Sequence, residues 1–406
     1  MKTSLRNLKQ KRDNGQSVFL VTGGTGFLGS HIAVALLKKG FKVIMLCRPG
    51  KGISARGRVE QLFDWFRLKG GSEINRPEVI EGTIDQPRLG LTNEEYVRLS
   101  SSFSEIVHCA ANTSFSDLKR EELERANVGS LENLFELAVR TGSQCCYFHH
   151  ISTAYTAGKK VGHCEETLPE TNEFHNAYEE TKYRGEKYIW ETFPAEGIHV
   201  NIYRPSIVYG DSLTGRTFRF NALYYPLKVF VFLKNTFTKD IEERGGEKSR
   251  EMGVSMGADG AIYLPIRLES LPDGVIDLIP IDFFIDAFMA ILDESLEGGI
   301  FHIVGGAPKK LGEIIDFIEK YFHIKGLTPV LKEDFDKVAP NALETLFNSY
   351  LDLYGPYIRD RRRFNNDKAA AILDKRNIKC PDFDYDIFAR CMDYATAVDW
   401  GKKLNL

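Results

Sequence analysis

Short strand-like runs alternate with helical patterns through the first half of this 406-residue chain. The strand-like runs are residues 17–22, 42–47, 105–109, 144–150 and 199–203, and the helical patterns are residues 27–39 and 122–141. This alternation favours a parallel sheet, because each parallel connection needs a crossover that packs on a face of the sheet. Since such crossovers are right-handed, the sequence predicts an α/β fold built on a Rossmann-type doubly wound parallel sheet.

The regular alternation stops after residue 210. Residues 239–260 are polar and rich in glycine, which predicts an exposed loop or lid. Two strand-like segments, 274–281 and 299–304, are expected to return the chain to the sheet, and most of the chain beyond residue 311 has a helical pattern.

These patterns predict three regions. Residues 1–16 are basic, have no apolar core and are expected to form a flexible N-terminal arm. Residues 17–210, completed by about 275–304, are expected to form the Rossmann domain. Residues 211–274 and 305–406 are expected to form a smaller, mainly helical C-terminal region that binds substrate.

Composition excludes several kinds of partner. A net charge of -3 provides no global attraction for nucleic acid or for an anionic membrane. No apolar run reaches the roughly 18 residues of a membrane span.

Seven scattered cysteines without a CxxC pair indicate reduced thiols and a cytoplasmic setting, with Cys145 and Cys146 expected in a buried strand. His108, His149 and His150 show no metal-ligand spacing, so they are interpreted as packing residues and no metal site is predicted.

A glycine-rich turn follows the first strand and opens the first helix. It reads Gly23-Gly24-Thr25-Gly26-Phe27-Leu28-Gly29, which satisfies GxGxxG and also the wider GxxGxxG spacing. The glycines allow a tight turn and close approach of a pyrophosphate, which the unpaired amides of the helix then bind. A purely structural turn is the alternative, but the strand before it and the helix after it are the context that a dinucleotide site requires.

The end of the second strand indicates which dinucleotide is bound. An NAD site usually has Asp or Glu there for the ribose hydroxyls. This chain instead has Arg48 at that point and Arg58 ten residues later. Guanidinium groups can bind a 2′-phosphate through paired hydrogen bonds, so NADP(H) is favoured. Solvated surface arginines are the alternative, above all for Arg58.

The segment from Tyr178 to Lys182 places a phenol and an ammonium four residues apart on one helical face. A nearby ammonium and an oxidised nicotinamide are expected to lower the pKa of the phenol, which is otherwise about 10. The hydroxyls of Ser152 and Thr153 end the preceding strand and could polarise a reacting carbonyl. A lone YxxxK is a weak signal, but its place within a nucleotide-binding fold gives it weight.

Together these motifs resemble the extended short-chain dehydrogenase/reductase superfamily, and within it the branch of fatty acyl-CoA reductases and thioester reductases. The segments that carry the resemblance are TGGTGFLG at 22–29, VIMLCRPG at 43–50, LGL at 89–91, VHCAANTSF at 107–115, ISTAYTAG at 151–158, YEETK at 178–182, YRPSIVYGDSLTG at 203–215 and DLIPIDFFIDA at 277–287. The STAY and RPSIVYGDSLTG segments are the more specific, since generic members of the superfamily usually differ there.

The resemblance implies a role for several residues. Thr153 would be the catalytic hydroxyl with Ser152 beside it, Tyr178 the proton donor, and Lys182 its partner and a ligand of the nicotinamide ribose. The implied cofactor contacts are Gly23, Thr25, Gly26, Phe27, Leu28, Gly29, Arg48, Arg58, Thr83, Ile84, Ala110, Ala111, Asn127, Tyr178, Lys182, Pro205, Ser206 and Ile207. Many relatives carry Asp where this chain has Thr83, so the contact there would be an uncharged hydrogen bond.

The implied reaction is hydride transfer from NADPH to the carbonyl of an acyl thioester, carried by CoA or by an acyl-carrier protein, to give an aldehyde. A second hydride would give an alcohol. One alternative is the same catalytic set acting on a ready-made carbonyl or alcohol, as in aldehyde or ketone reductases and in sterol- or sugar-type dehydrogenases and epimerases. Another is a sensor that binds NADP without turnover, although a sensor has no need of a positioned phenol.

Two weaker signals have bland alternatives. The apolar segment 222–237 would suit an acyl-chain tunnel or a flap that rests peripherally on a membrane, but ordinary core packing also gives this pattern. The basic run from Arg359 to Arg363 could meet the phosphates of CoA or an acidic carrier protein, although such runs are usually solvated surface.

Overall fold

A computed structural model describes residues 5–67, 75–140, 142–170 and 173–406. The strands of this part of the chain are β1 (Val18–Thr22), β2 (Lys42–Cys47), β3 (Glu78–Glu81), β4 (Glu105–His108), β5 (Tyr147–Ile151), β6 (Gly162–Cys164), β7 (His199–Pro205), β8 (Ile207–Tyr209), β9 (Ser255–Met256), β10 (Ile262–Ser270), β11 (Leu278–Pro280), β12 (Gly299–Ile303), β13 (Ile324–Leu331) and β14 (Arg362–Phe364).

The α-helices of the described residues cover both faces of the main sheet and build most of the C-terminal half. They are α1 (Leu5–Asp13), α2 (Phe27–Lys38), α3 (Ala55–Trp65), α4 (Asn93–Ser100), α5 (Arg120–Glu124), α6 (Ser130–Val139), α7 (Ala177–Thr192), α8 (Tyr224–Glu243), α9 (Glu247–Glu251), α10 (Ile281–Glu294), α11 (Leu311–Phe322), α12 (Lys332–Phe335), α13 (Ala342–Leu351), α14 (Gly355–Ile358), α15 (Asp367–Leu373) and α16 (Tyr385–Ala397).

Seven of the strands form one parallel sheet in the order β12-β7-β5-β4-β1-β2-β3. This is the Rossmann order with one further strand, so the predicted doubly wound sheet is confirmed. Side chains alternate across it: Phe19 and Val21 pack under α2 and α10, whereas Leu20 packs on the opposite side with α6 and α7. The strand order reverses between β1 and β4, and ligands of such sheets bind where the carboxyl ends of these strands diverge.

The C-terminal half has a hydrophobic core of its own. Side chains from α8, β10, α11, α13 and α16 form one buried cluster that is separate from the two clusters on the main sheet. A three-stranded sheet, β13-β10-β9, belongs to this half, which the sequence pattern had predicted as mainly helical. Among the described residues, no helix combines the length and the apolar character needed to cross a bilayer.

The N-terminal segment differs from the flexible arm that was expected. Residues 5–13 form α1, and both Leu8 and Arg12 are buried. Nε of Arg12 lies 3.1 Å from both carboxylate oxygens of Glu105 at the start of β4, and the guanidinium also donates to the carbonyl of Leu292. The helix is therefore fixed to the sheet by a buried ion pair between residues that are far apart in the sequence.

Residues 239–260 are not the predicted loop or lid. Helix α8 continues to Glu243, and α9 follows after a turn at Gly245 and Gly246, both with positive φ. The carboxylate of Asp240 ties the two helices together, because it accepts hydrogen bonds from the backbone and the hydroxyl of Ser249. The polar composition reflects the exposed face of these helices rather than a lack of structure.

Three strand predictions also need correction. Cys145 and Cys146 are buried but precede β5, which begins at Tyr147 and ends at Ile151. Segment 274–281 contains only the short β11, which pairs with β8 in a separate two-stranded sheet, whereas segment 299–304 does join the main sheet as β12. The edge strand β3 was missed, because only one of its four residues is buried and it carries two glutamates.

Candidate active site

The glycine-rich turn between β1 and α2 leaves the helix end open. Gly23 has a φ of 68°, and a Cβ there would lie 2.5 Å from the backbone nitrogen of Ala110. A Cβ on Gly29 would lie 2.4 Å from the carbonyl oxygen of Gly23, so neither position accepts a side chain. Gly26 begins the helix without a side-chain cap, which leaves the first amides, including those of Phe27 and Leu28, unpaired by a cap. These amides and the helix dipole suit the pyrophosphate of a dinucleotide.

A cleft of about 640 Å³ opens in front of this turn, at the carboxyl ends of β1, β2 and β4. The residues of the sequence-predicted cofactor set that line it are Gly23, Thr25, Gly26, Arg48, Arg58, Ile84, Ala110 and Ala111. Lining residues that sequence reasoning missed include Asp85, Asn112, Thr113, Arg125 and Arg219. The size and position of the cleft fit an extended dinucleotide.

Thr83 does not line this cleft, in contrast to the predicted contact near the adenine. Its hydroxyl donates to the carboxylate of Asp85 over 2.6 Å, and its amide donates to the carbonyl of Leu89. Ile84 and Asp85 line the cleft instead. Asp85 therefore places a carboxylate at the cleft two residues after Thr83.

Three arginines meet at one end of the cleft. Arg48 and Arg58 line it, as predicted, together with Arg219, which comes from the segment after β8. The guanidinium of Arg58 donates to the carbonyl of Arg48 over 2.8 Å. Partial burial and the charge of Arg58 lower the pKa of Arg219. Within the described ranges, none of the three forms a salt bridge with a carboxylate, whereas the nearby Arg56 is exposed and does not line the cleft.

The predicted catalytic residues come together at the ends of β5 and α7. Tyr178 is the second residue of α7, which the side chain of Asn176 caps by accepting the amide of Glu179 over 3.1 Å. Thr153 caps a 3-10 turn after β5, and its hydroxyl lies close enough to the phenol of Tyr178 to influence the pKa of that phenol. The two hydroxyl groups are therefore neighbours at the carboxyl edge of the sheet, where a reacting carbonyl could contact both.

The ionisation of Tyr178 differs from the expected lowering. Burial raises its pKa to about 12, although the neighbouring hydroxyl of Thr153 opposes the rise. The ammonium of Lys182 does not counter this, because it donates instead to the carbonyl of Ile151 over 2.8 Å and lies 3.2 Å from Nε2 of His150. Burial also lowers the pKa of Lys182 to about 8. The protein alone thus holds the phenol protonated at neutral pH, as a proton donor must be.

The remaining predicted residues form the surroundings of this set. The hydroxyl of Ser152 is buried without a hydrogen-bond partner in the described part of the chain, and its amide donates to the carbonyl of Tyr203. Pro205 ends β7, Ser206 donates its amide to Ile303, and Ile207 lines an apolar cavity rather than the cleft.

Both polar atoms of the Asn127 side chain are hydrogen-bonded within the protein. Its amide oxygen accepts from the backbone of Asn112 over 2.8 Å, and its amide nitrogen donates to the carbonyl of Asn112 and to the hydroxyl of Thr181. These contacts hold the loop after β4 against α7, and Asn127, which was implied as a cofactor contact, does not line the cleft.

An apolar cavity lies next to Phe115, the residue whose ring contacts that of Tyr178. It encloses about 120 Å³, and its aromatic wall contains Phe115, Tyr155, Tyr354 and Tyr357. The ring of Phe115 is 5.7 Å from that of Tyr178 and stacks at 4.7 Å on that of Tyr357. The loop that lines the cleft at residues 110–113 continues to Phe115, so one short loop connects the cleft, the phenol and the cavity.

Segment 222–237 was expected to line an acyl-chain tunnel, to form a membrane flap, or to pack in an ordinary core. It forms most of the first part of α8, whose buried face packs in the C-terminal core. Ala222, Leu223, Pro226, Leu227 and Phe230 of this segment also line the apolar cavity. The same face of the helix is therefore core and cavity wall.

Three of the four arginines at residues 359–363 are paired with carboxylates, whereas Arg363 donates to backbone carbonyls. Arg362 is buried and pairs with Asp360 at 2.8 Å and Glu179 at 3.3 Å. Arg359 pairs with Glu269, and Arg361 pairs with Asp273. The run ties the C-terminal part of the chain to the start of α7.

The chain combines a Rossmann sheet and an open glycine turn with Tyr178, Lys182 and the hydroxyl of Thr153 at the carboxyl edge of the sheet. These features define an extended short-chain dehydrogenase/reductase, an oxidoreductase that uses a nicotinamide dinucleotide. Residues 21–288 match the family described as male sterility protein, and the chain belongs to this family. The described residues contain no cluster of His, Cys, Asp or Glu that could hold a metal ion.

Similar proteins include large multidomain enzymes. The chain is 24% identical over 393 residues to a linear gramicidin synthase protein of Brevibacillus parabrevis, and the match covers 92% of this chain but 7% of that protein. It is 32% identical over 157 residues to fatty acyl-CoA reductase 1 of Gallus gallus, and this match covers 37% of this chain and 30% of that protein. The chain thus spans less than a third of the length of either relative.

A solved structure supports the fold. The terminal R domain from the myxalamid PKS-NRPS biosynthetic pathway superposes with a TM-score of 0.70 at 20% identity, over 95% of this chain and 92% of that chain. The likeness covers the main sheet and the C-terminal half together.

Proposed function

We propose that this protein is an NADPH-dependent reductase of acyl thioesters, carried by CoA or by an acyl-carrier protein, that forms the aldehyde. The observation that carries the proposal is the loop after β4, because its residues 110–113 line the dinucleotide cleft, whereas Phe115 lines the apolar cavity and its ring lies 5.7 Å from that of Tyr178. A reductase of a long apolar substrate needs these three features side by side. The fatty acyl-CoA reductase relative supports the choice of substrate.

NADPH is favoured over NADH by the three arginines of the cleft. Arg48, Arg58 and Arg219 have no carboxylate partner in the part of the chain that the structure describes, so an anionic group of the ligand is the natural partner. A hydrogen bond from the guanidinium of Arg58 to the carbonyl of Arg48 holds these two residues next to each other. A 2′-phosphate on the adenosine ribose matches this charge.

The chain's own groups would act in a simple order. A bound reduced nicotinamide supplies a hydride. Thr153 and Tyr178 hydrogen-bond the thioester carbonyl oxygen and stabilise the negative charge that develops there, and Tyr178 then gives that oxygen its proton. Collapse of the resulting hemithioacetal breaks the carbon–sulfur bond and releases the free thiol. The pKa of about 12 favours this direction, because the phenol begins protonated.

The apolar cavity would hold part of the acyl chain. Its wall is made almost only of apolar side chains, including Leu227 and Phe230 of α8, so it suits methylene groups and no charged group. A volume of about 120 Å³ is near that of an engineered protein cavity of about 150 Å³ that binds benzene. The site therefore favours several methylenes close to the reacting carbon.

The direct experiment follows NADPH absorbance with the purified chain and a panel of substrates. The panel contains acyl-CoA thioesters of short and long chain length, the same acyl groups on a carrier protein, and matched aldehydes, ketones and sterols. Consumption with thioesters and formation of one free thiol for each aldehyde support the proposal. Consumption with aldehydes or ketones alone would favour the reductase of ready-made carbonyls, and tight NADPH binding without any turnover would favour a sensor.

A further inference from the structure

Two hydrogen-bond acceptors of the protein hold the amine of Lys182. Its side chain is buried, and its nitrogen lies 2.8 Å from the carbonyl oxygen of Ile151 and 3.2 Å from Nε2 of His150. An ammonium has three N–H donors. Two are therefore engaged by β5 before any ligand arrives, which leaves one donor for a cofactor hydroxyl.

His150 is an unusual partner for an ammonium. It is buried, and its ring stacks on that of His108 at 5.3 Å with 21° between the planes. His108 is engaged elsewhere, since its Nδ1 lies 2.7 Å from the hydroxyl of Thr22. Nδ1 of His150 has no hydrogen-bond partner within the described ranges. The ring therefore has one ordered polar contact in the described chain, and that contact is with Lys182.

The contact fixes the tautomer of the ring. An ammonium can only donate, so Nε2 of His150 has to accept, and the ring proton must lie on Nδ1. The charged groups around the pair are Glu186 on α7 and Lys182 itself, and the other titratable groups are His108 and Cys109 at the end of β4. Burial and the charge of Lys182 both lower the pKa of His150, which keeps the imidazole neutral.

We propose that His150 is a positioning residue for the reductive site: the neutral imidazole accepts a hydrogen bond from Lys182 and, with the carbonyl of Ile151, holds the amine so that its third donor is presented to the cofactor ribose. This role differs from that of Asn127, whose side-chain polar atoms are already bonded to Asn112 and Thr181. Only the presentation of the third donor rests on the proposed function, because the pairing of His150 with Lys182 is a property of the protein alone.

The first test needs no cofactor or substrate. Ring nitrogen NMR on the full chain labelled with ¹⁵N-histidine, assigned through His150→Gln, reports which nitrogen carries the proton. We expect a neutral Nδ1–H tautomer for His150 at pH 6 and pH 7. An Nε2–H tautomer or a protonated ring at pH 7 would overturn the proposal, whatever the protein reduces.

The second test compares three variants in the full chain by NADPH fluorescence titration and by kcat and KM. His150→Leu removes the acceptor and is expected to weaken NADPH binding about tenfold, the usual loss for a hydrogen bond to a charged group. His150→Gln restores an acceptor oxygen near the position of Nε2 and is expected to stay within about threefold of the unmodified chain.

The matched control is His108→Leu, which changes an equally buried, stacked imidazole that does not touch Lys182. It is expected to bind NADPH within about twofold of the unmodified chain. Equal losses in the Leu and Gln variants of His150, or an equal loss in His108→Leu, would contradict the proposal, since each would mean that packing and not the hydrogen bond matters. Failure of the unmodified chain to reduce thioesters would refute the proposed function and leave the NMR and binding results as they stand.

Discussion

Replacing Arg48 by Ala tests the cofactor preference at the residue that directly follows β2. Its guanidinium lines the arginine end of the cleft beside Arg58, without a carboxylate partner among the described residues. A hydrogen bond to a charged group contributes about 1.5–3 kcal/mol. Because Arg48 is exposed at the rim, solvent screening puts the loss at the low end, about 1.5 kcal/mol, which is about a tenfold rise in KM for NADPH.

The assay compares kcat/KM for NADPH and NADH in one buffer at low and at moderate salt. NADH lacks the 2′-phosphate, so its kcat/KM is expected to change less than about twofold, and the NADPH loss is expected to shrink as salt screens the pair. Arg56→Ala is the matched control, because Arg56 is exposed, lies two residues from Arg58 and does not line the cleft. An equal loss for both cofactors, or no loss for NADPH in the double variant of Arg48 and Arg58, would refute the assignment of the arginine end to a 2′-phosphate.

Three further predictions concern the amine, the cavity and the N-terminal helix. The ammonium of Lys182, with its pKa lowered to about 8, loses its proton as the pH rises, so kcat/KM for NADPH should fall above about pH 8, and a rate that rises through that range would contradict this role. Leu227→Phe fills part of the apolar cavity and should lower kcat/KM for a long-chain thioester about 15-fold, which is the effect of two lost methylene contacts at about 0.8 kcal/mol each. The kcat/KM of a short-chain thioester should change little. Equal losses for both thioesters would show that the acyl chain does not bind in this cavity. Arg12→Met removes the charged partner of the buried Glu105, which keeps only its contact with His149, and should cost about 3–5 kcal/mol in urea unfolding at pH 7. Burial alone would raise the pKa of Glu105, but Arg12 and hydrogen bonds hold it at about 2. In the unmodified chain the stabilisation is therefore complete above about pH 4.5 and is lost as the pH falls towards 2. A loss of stability below about 1 kcal/mol in the Arg12→Met variant would show that this ion pair does not anchor α1.

The main sheet could be predicted because its signals are local. Each central strand is a short apolar run, and the turn from Gly23 to Gly29 can only adopt its geometry without side chains at both ends. The position of Tyr178 and Lys182 one turn apart follows from helical spacing alone. These features need no knowledge of which distant segments meet.

The errors arose where distant residues decide the structure. Arg12 is ordered by Glu105, which lies 93 positions later, and nothing within residues 1–16 indicates that pairing. The first part of the polar run, residues 239–251, belongs mostly to two helices that Asp240 and Ser249 join across a turn, which composition alone does not show. The partner of Lys182 was also missed, because the side chain reaches His150 on a neighbouring strand rather than Tyr178 on its own helix.

Several site residues were visible in the sequence but had no assigned role. Asn112, Thr113 and Phe115 belong to the VHCAANTSF segment, in which only the two alanines were assigned to the cofactor. Phe115 follows them by a few residues, so a motif that reaches past the end of a strand could have indicated it. Arg219 had no such signal, because the long segment after β8 brings it back to the cleft.

The most direct test of the central claim is a single turnover with NADPH that carries deuterium at the transferred position. A defined acyl thioester is mixed with the chain, and the product is identified by mass spectrometry while free thiol is counted. We predict an aldehyde with one deuterium on the former carbonyl carbon, one thiol for each NADPH oxidised, normal turnover in Tyr183→Phe on the same helix and none in Tyr178→Phe. Unlabelled aldehyde, thiol release without NADPH oxidation, or unchanged turnover in Tyr178→Phe would contradict the account.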